Sequence, residues 1–181
     1  MRTKFLSAVF AVVVLFVSNS IQAEDGSPSG EVSLNINLHP IQTLVINQKT
    51  VDIDYKTKDD YLKGVKVNEA DHLTVYSTGG FEVKAKTATD YLVGSLNHID
   101  TKDVTITPSN GSNALSGAIY TARALSKEDQ VIVSSTTGGV DKTVNVEYQA
   151  FGGGNSYVNY YQKTESPTIF TTTVTYTIVA K

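Results

Sequence analysis

The chain is predicted to fold as an all-β antiparallel sandwich, Ig-like or jelly-roll-like, of about 9–11 short strands. Three observations predict it. Apolar side chains recur at a period of two in run after run, as in Val32, Leu34, Ile36 and Leu38 or Phe170, Thr172, Val174, Tyr176 and Ile178. That alternation suits a strand with one buried and one wet face. Turn signals separate the runs: Asn47-Gln48, Lys63-Gly64, Gly79-Gly80, Asn110-Gly111, Gly138-Gly139 and Gly152-Gly153-Gly154. No long stretch carries apolar residues at a helical period.

The first 23 residues have the three-part layout of an export signal. Met1–Lys4 is basic through Arg2 and Lys4, Phe5–Val17 is uncharged and apolar, and Ile21-Gln22-Ala23 fits a cleavage site. The apolar core of 13 residues is shorter than the ~20 that span a bilayer. No second hydrophobic span follows, so no membrane span is expected after cleavage. Cleavage leaves 158 residues with 13 basic against 18 acidic side chains, a net charge of −5. Residues 24–31, polar with Pro28 and two glycines, read as a flexible leader, and 32–181 as a single domain. Without Cys, neither a disulfide framework nor a thiolate site can form. The acidic balance and the lack of a basic run exclude nucleic acid as the expected partner.

Within 32–181 each apolar run is assigned in turn. Val32–Leu38 is an alternating strand, expected to complete its own sheet or to insert into a neighbouring copy. Strands follow at Val51–Tyr55, Leu73–Val75, Phe81–Ala85, Val104–Ile106, Val144–Tyr148 and Phe170–Ile178. Thr87–Ile99 has room for one helical turn around Tyr91-Leu92. Leu115, Ile119, Ala122 and Leu125 fit a helical stripe, but Gly117 and the Ile119-Tyr120-Thr121 run favour a strand. Asn155–Gln162 is read as a strand on which Tyr157, Asn159 and Tyr161 share one face.

That face is the candidate ligand site. Two rings and an amide on one surface suit stacking on sugar rings and hydrogen bonding to their hydroxyls. Asp52, Asp54, Asp59 and Asp60 form an acidic cluster that raises the question of calcium. They lack a D-x-D-x-D-G loop and interleave with Lys56, Lys58 and Lys63, so a solvated mixed-charge face is expected, with no metal or other cofactor. His39, His72 and His98 meet no catalytic or zinc spacing, and no nucleophile elbow occurs. All three are expected at strand ends or in loops, and no catalytic residue is assigned.

Two segments, His72-Leu-Thr-Val-Tyr-Ser-Thr-Gly-Gly-Phe-Glu-Val-Lys-Ala85 and Thr171-Thr-Thr-Val-Thr-Tyr-Thr-Ile-Val179, resemble the WxL-type cell-surface domain family. Phe81 and Tyr176 stand at its aromatic positions, in a chain without Trp. The resemblance implies a secreted sandwich held on the cell wall by peptidoglycan contacts. Pilin-like exported sandwiches share the same general look. The expected function is therefore a non-catalytic cell-envelope protein located in the periplasm, on the cell surface or outside the cell. Its partner is wall or surface polysaccharide or, as a fimbrial-like subunit, further copies of itself joined through residues 32–38.

Overall fold

The structure, a computed structural model, describes residues 29–181; the predicted signal peptide and the start of the leader lie outside the described residues. In chain order the strands are β1 (Gln42–Ile46), β2 (Val65–Ser77), β3 (Phe81–Thr87), β4 (Tyr91–Val93), β5 (His98–Asp100), β6 (Val104–Asn110), β7 (Ile119–Tyr120), β8 (Arg123–Ala124), β9 (Gln130–Ser135), β10 (Gly139–Ala150) and β11 (Val174–Ala180). Two short helices, α1 (Lys58–Lys63) and α2 (Gly154–Tyr160), and a 3-10 turn at Thr101–Asp103 complete the fold. The five-stranded sheet has the order β1-β2-β10-β6-β8, the four-stranded sheet β11-β3-β9-β7, and β4 and β5 form a ribbon. Every pairing is antiparallel. The all-β antiparallel, sandwich-like fold read from the sequence is the fold observed.

The alternation that identified the strands also builds the core. Along β3, Phe81, Val83, Ala85 and Thr87 are buried while Glu82, Lys84 and Lys86 are half-exposed. Val144, Val146, Tyr148 and Ala150 of β10 and Val104 and Ile106 of β6 do the same. Leu73, Val83, Ile106, Ile132 and Val146 are fully shut off from solvent, each contributing about 1.5–3 kcal/mol by burial. Pro108 sits opposite Val146 in the β6–β10 ladder. Its missing N–H is tolerated because β8 pairs with β6 only at Thr105 and Ile106.

Two irregularities interrupt this regular pattern. At Asp71 (φ +48°) β2 bulges against β10: Leu73 pairs with Val144 but Glu69 with Val146. The bulge puts the consecutive residues His72 and Leu73 both inside. Asn145 Oδ1 accepts the Asp71 N–H at 2.7 Å, and the Asp71 carboxylate accepts from the N–H and hydroxyl of Ser112, each at 2.7 Å. Gly64 (φ +86°) ends α1 hard against β10. A Cβ there would collide with the Ala150 carbonyl oxygen, so no larger residue fits.

Several expected elements differ. Tyr91-Leu92 lies in the β4–β5 ribbon, not in a helical turn. Leu115–Leu125 is not a helix: it yields β7 and β8, in line with the strand favoured by Gly117 and Ile119-Tyr120-Thr121. Asn155–Gln162 is largely helix α2 and not a strand. Tyr157 and Tyr160 stand at i and i+3 on this helix and their rings stack, while Tyr161 follows its end in extended backbone. Val32–Leu38 takes part in no helix or strand, and Leu38–Lys181 is one of two compact units, divided at Asn37. Among the described residues no helix is long and apolar enough to cross a membrane.

Candidate functional site

The V-D-I-D-Y segment at Val51–Tyr55 is extended and alternates in burial, with Val51, Ile53 and Tyr55 half-buried and Asp52 and Asp54 exposed. It packs its apolar side against the core. Yet none of its backbone N–H or C=O groups has a hydrogen-bond partner among the described residues. The strand expected here has the side-chain pattern of a strand without a ladder. Both ends are anchored. β1 is zipped to β2 from Gln42–Ser77 to Ile46–Leu73. Beyond Tyr55, a capping box of Thr57 and Asp60 starts α1, and the Tyr55 hydroxyl donates to the Phe151 carbonyl at 2.6 Å.

β11 stands on the other side. One edge pairs with β3 along Val174–Ala180, and its second edge carries no ladder among the described residues. Between β11 and the β1–Tyr55 stretch lies a groove of about 680 Å³. Its walls are mainly aliphatic, with Leu44, Ile46, Val51 and Ile53 on one side and Val174 on the other. Leu92, Val104 and Leu125 also line it, and no Asp or Glu does.

A chain of polar groups lies along this apolar groove. His72 Nδ1 is 2.9 Å from Gln48 Oε1, His72 Nε2 is 2.9 Å from the Tyr148 hydroxyl, and that hydroxyl is 2.5 Å from the Tyr176 hydroxyl. All four residues line the groove, and the three rings are mutually edge-on or hydrogen-bonded. Gln48 Nε2 donates to the Ala70 carbonyl at 3.1 Å. A carbonyl only accepts, so the Gln48 amide oxygen is the atom facing His72. His72 therefore carries its proton on Nδ1, Nε2 accepts from Tyr148, and Tyr148 accepts from Tyr176. Burial holds the His72 pKa below the usual imidazole range and pushes Tyr148 up to about 12, with Tyr176 pushed upward by the same cause.

Residues 32–38 are apolar at alternate positions. Val32, Leu34, Ile36 and Leu38 are 92%, 87%, 80% and 90% exposed. The polar residues between them are exposed as well. Scattered apolar residues on a surface are ordinary, but these four stand at strand period on one segment.

The residues singled out from sequence fall elsewhere. Tyr157, Asn159 and Tyr161 do not share a face: Tyr157 packs edge-on against Tyr55, its hydroxyl donating to Asp103 Oδ2 at 3.3 Å, while Asn159 and Tyr161 are exposed. Burial first, then the Asp103 charge, raises the Tyr157 pKa. In the acidic cluster Asp54 pairs with Lys56 and Asp59 with Lys63, both at 2.7 Å. Asp60 accepts the N–H groups of Lys56 and Thr57. Among the described residues no group of three His, Asp or Glu is placed to hold a metal ion. His98 starts β5 and meets the Tyr91 ring edge-on, His39 is exposed, and His72 is a core residue within β2, neither at a strand end nor in a loop.

Sequence reading missed β1, because Leu44-Val45-Ile46 is apolar on both faces and hides the alternation. It also missed the His72–Tyr148–Tyr176 chain, which depends on the bulge at Asp71. Comparison with models of known protein families and with curated protein sequences finds no match.

Proposed function

We propose that this chain is a non-catalytic structural subunit of an extracellular fibre, and that residues 32–38 of one copy insert as a strand into the groove of the next. The observation that carries the reading is that one chain holds both halves of a strand-addition joint. It has an aliphatic groove flanked by the unpaired backbone of Val51–Tyr55 and the free edge of β11. It also has an unpaired alternating segment with its apolar side chains in solvent. Strand addition gains affinity from main-chain hydrogen bonds and specificity from alternate side chains. Moving Val32, Leu34, Ile36 and Leu38 out of water offers about 1.5–3 kcal/mol each, against the cost of ordering the segment. Export, through the signal expected at residues 1–23, would place the assembly outside the inner membrane.

The test uses the full exported chain. Wild-type protein is expected to run on a denaturing gel as a ladder that collapses to monomer only on strong heating. Leu34→Asp with Ile36→Asp is expected to give monomer with unchanged thermal stability, since both side chains are exposed. A wild-type protein that stays a single monomer peak at high concentration on a sizing column overturns the proposal.

A further inference from the structure

We propose that the His72–Tyr148–Tyr176 chain makes strand seating proton-sensitive: the groove accepts the apolar strand while His72 is neutral and releases it when His72 takes up a proton. This rests on the strand-addition reading and concerns the regulation of that same groove. With His72 neutral, every proton in the chain has an acceptor: Tyr176 donates to Tyr148, Tyr148 to His72 Nε2, and His72 Nδ1–H to Gln48 Oε1, which is fixed by Ala70. Protonation at Nε2 turns that atom into a donor. Tyr148 must then accept from His72, and one of the two tyrosine O–H groups is left to find a new acceptor. Apart from Gln48, Thr172 and Thr173, the groove walls offer mainly aliphatic side chains, Val51, Ile53 and Val174 among them, and the inserted strand would bring further aliphatic carbon. A buried donor without an acceptor is costly.

The charges around the ring do not relieve this. From β10 and β11 it meets Tyr148 and Tyr176, and just beyond β1 the groove is lined by Lys49, a like charge. On its own strand the Asp71 carboxylate is engaged by Ser112, and Glu69 bears on Tyr148. No carboxylate lines the groove to pair with an imidazolium. Seating a strand over the chain withdraws it further from water, which favours the neutral ring still more. Occupied groove and neutral His72 are therefore linked, and by reciprocity acid favours release. The sign follows from a ring already held below the usual value of 6.5. Seating is at full strength above the ring pKa of the empty groove, itself below the usual value, and weakens as pH falls from there toward the still lower value of the occupied state.

The experiment measures binding of an acetylated, amidated peptide of residues 32–38, which has no titratable side chain. The receptor is the full chain carrying Leu34→Asp and Ile36→Asp, so that it does not assemble. Affinity is expected to stay level above about pH 6.5 and to fall below the ring pKa of the empty groove, by about tenfold for each unit by which seating lowers that pKa, over a series from about pH 7.5 to pH 4. His72→Gln, which keeps an acceptor for Tyr148 and does not titrate, is expected to flatten the profile. Should that variant fail to fold, NMR titration of the His72 ring with and without peptide replaces it, and a lower pKa with peptide is expected. Equal affinity across the series, or an unmoved ring pKa, overturns the proton switch and leaves strand addition standing. No binding at any pH overturns strand addition itself.

Discussion

The two lateral sides of the sandwich are built in opposite ways. On one side a single stretch, Ile119–Ala124, pairs as β7 with β9 and then as β8 with β6, so it is stitched to both sheets within six residues. Thr121 N–H donates to the Ile132 carbonyl and Leu125 N–H to the Val104 carbonyl, and Leu115 and Leu125 are buried at its flanks. On the other side the corresponding stretch, Gln42–Tyr55, pairs only in its first half. Its second half runs beside a groove with its backbone groups unpartnered among the described residues. The contrast shows that this chain can close an edge and that the groove side is built differently. An unpaired edge next to apolar surface is a liability that proteins blunt with charge. Here Asp52 and Asp54 supply the charge without filling the groove.

If the stitched side carries the stability, truncation there is expected to have the largest effect. Ile132→Ala, at a fully buried site, should destabilise by about 2–5 kcal/mol in chemical denaturation. Ile53→Ala on the groove side should cost clearly less in the unassembled subunit. Equal costs would erase the distinction between the two sides.

The polar chain on the groove side comes next. Tyr148→Phe leaves His72 Nε2 buried without its donor and removes the acceptor of Tyr176. A loss of about 1–3 kcal/mol is expected, measured by the same denaturation and visible as a changed His72 ring shift.

Smaller still, Thr57→Ala removes the cap that anchors the far end of the unpaired stretch. A loss of about 0.5–2 kcal/mol is expected, with faster amide exchange in α1 and little change in β7.

The smallest effect sits at the bulge. The Ser112 N–H and hydroxyl, with help from Thr143, hold the Asp71 carboxyl below the usual carboxylate range. A depressed carboxyl stabilises the fold above its unfolded value and loses that contribution as pH falls through the lower folded one. Asp71→Asn should therefore lower the melting temperature most at neutral pH, with the difference from wild type closing below about pH 4.

Most of the sheet framework was legible because alternation in Phe81–Ala85, Val104–Ile106 and Val144–Tyr148 has one physical meaning, burial of one strand face. Alternation alone does not say whether a strand finds a partner. Val32–Leu38 and Val51–Tyr55 have the pattern without the ladder, and pairing depends on residues far away in sequence. The Tyr157–Tyr161 stretch misled for another reason: Tyr-Val-Asn-Tyr-Tyr satisfies a period of two and a helical period alike, and packing of Tyr157 and Tyr160 against Tyr55 and Phe170 belongs to the helix. The groove was not legible, since its walls come from β1, the Val51–Tyr55 stretch and β11, and its polar chain needs the phase change at Asp71. The apolar segment that is proposed to fill it, and the alternating runs Val51–Tyr55 and Phe170–Ile178 beside it, could be named in advance, but not their meeting.

Amide hydrogen exchange on the full chain tests the joint most directly. In the Leu34→Asp, Ile36→Asp monomer the amides of Val51–Tyr55 should exchange fast and those of Thr121 and Leu125 slowly. On adding the residue 32–38 peptide, Val51–Tyr55 should become protected while Thr121, which does not line the groove, stays as it was. Val51–Tyr55 amides that are already slow in the monomer, or that stay fast with saturating peptide, would contradict a strand seat between this stretch and β11.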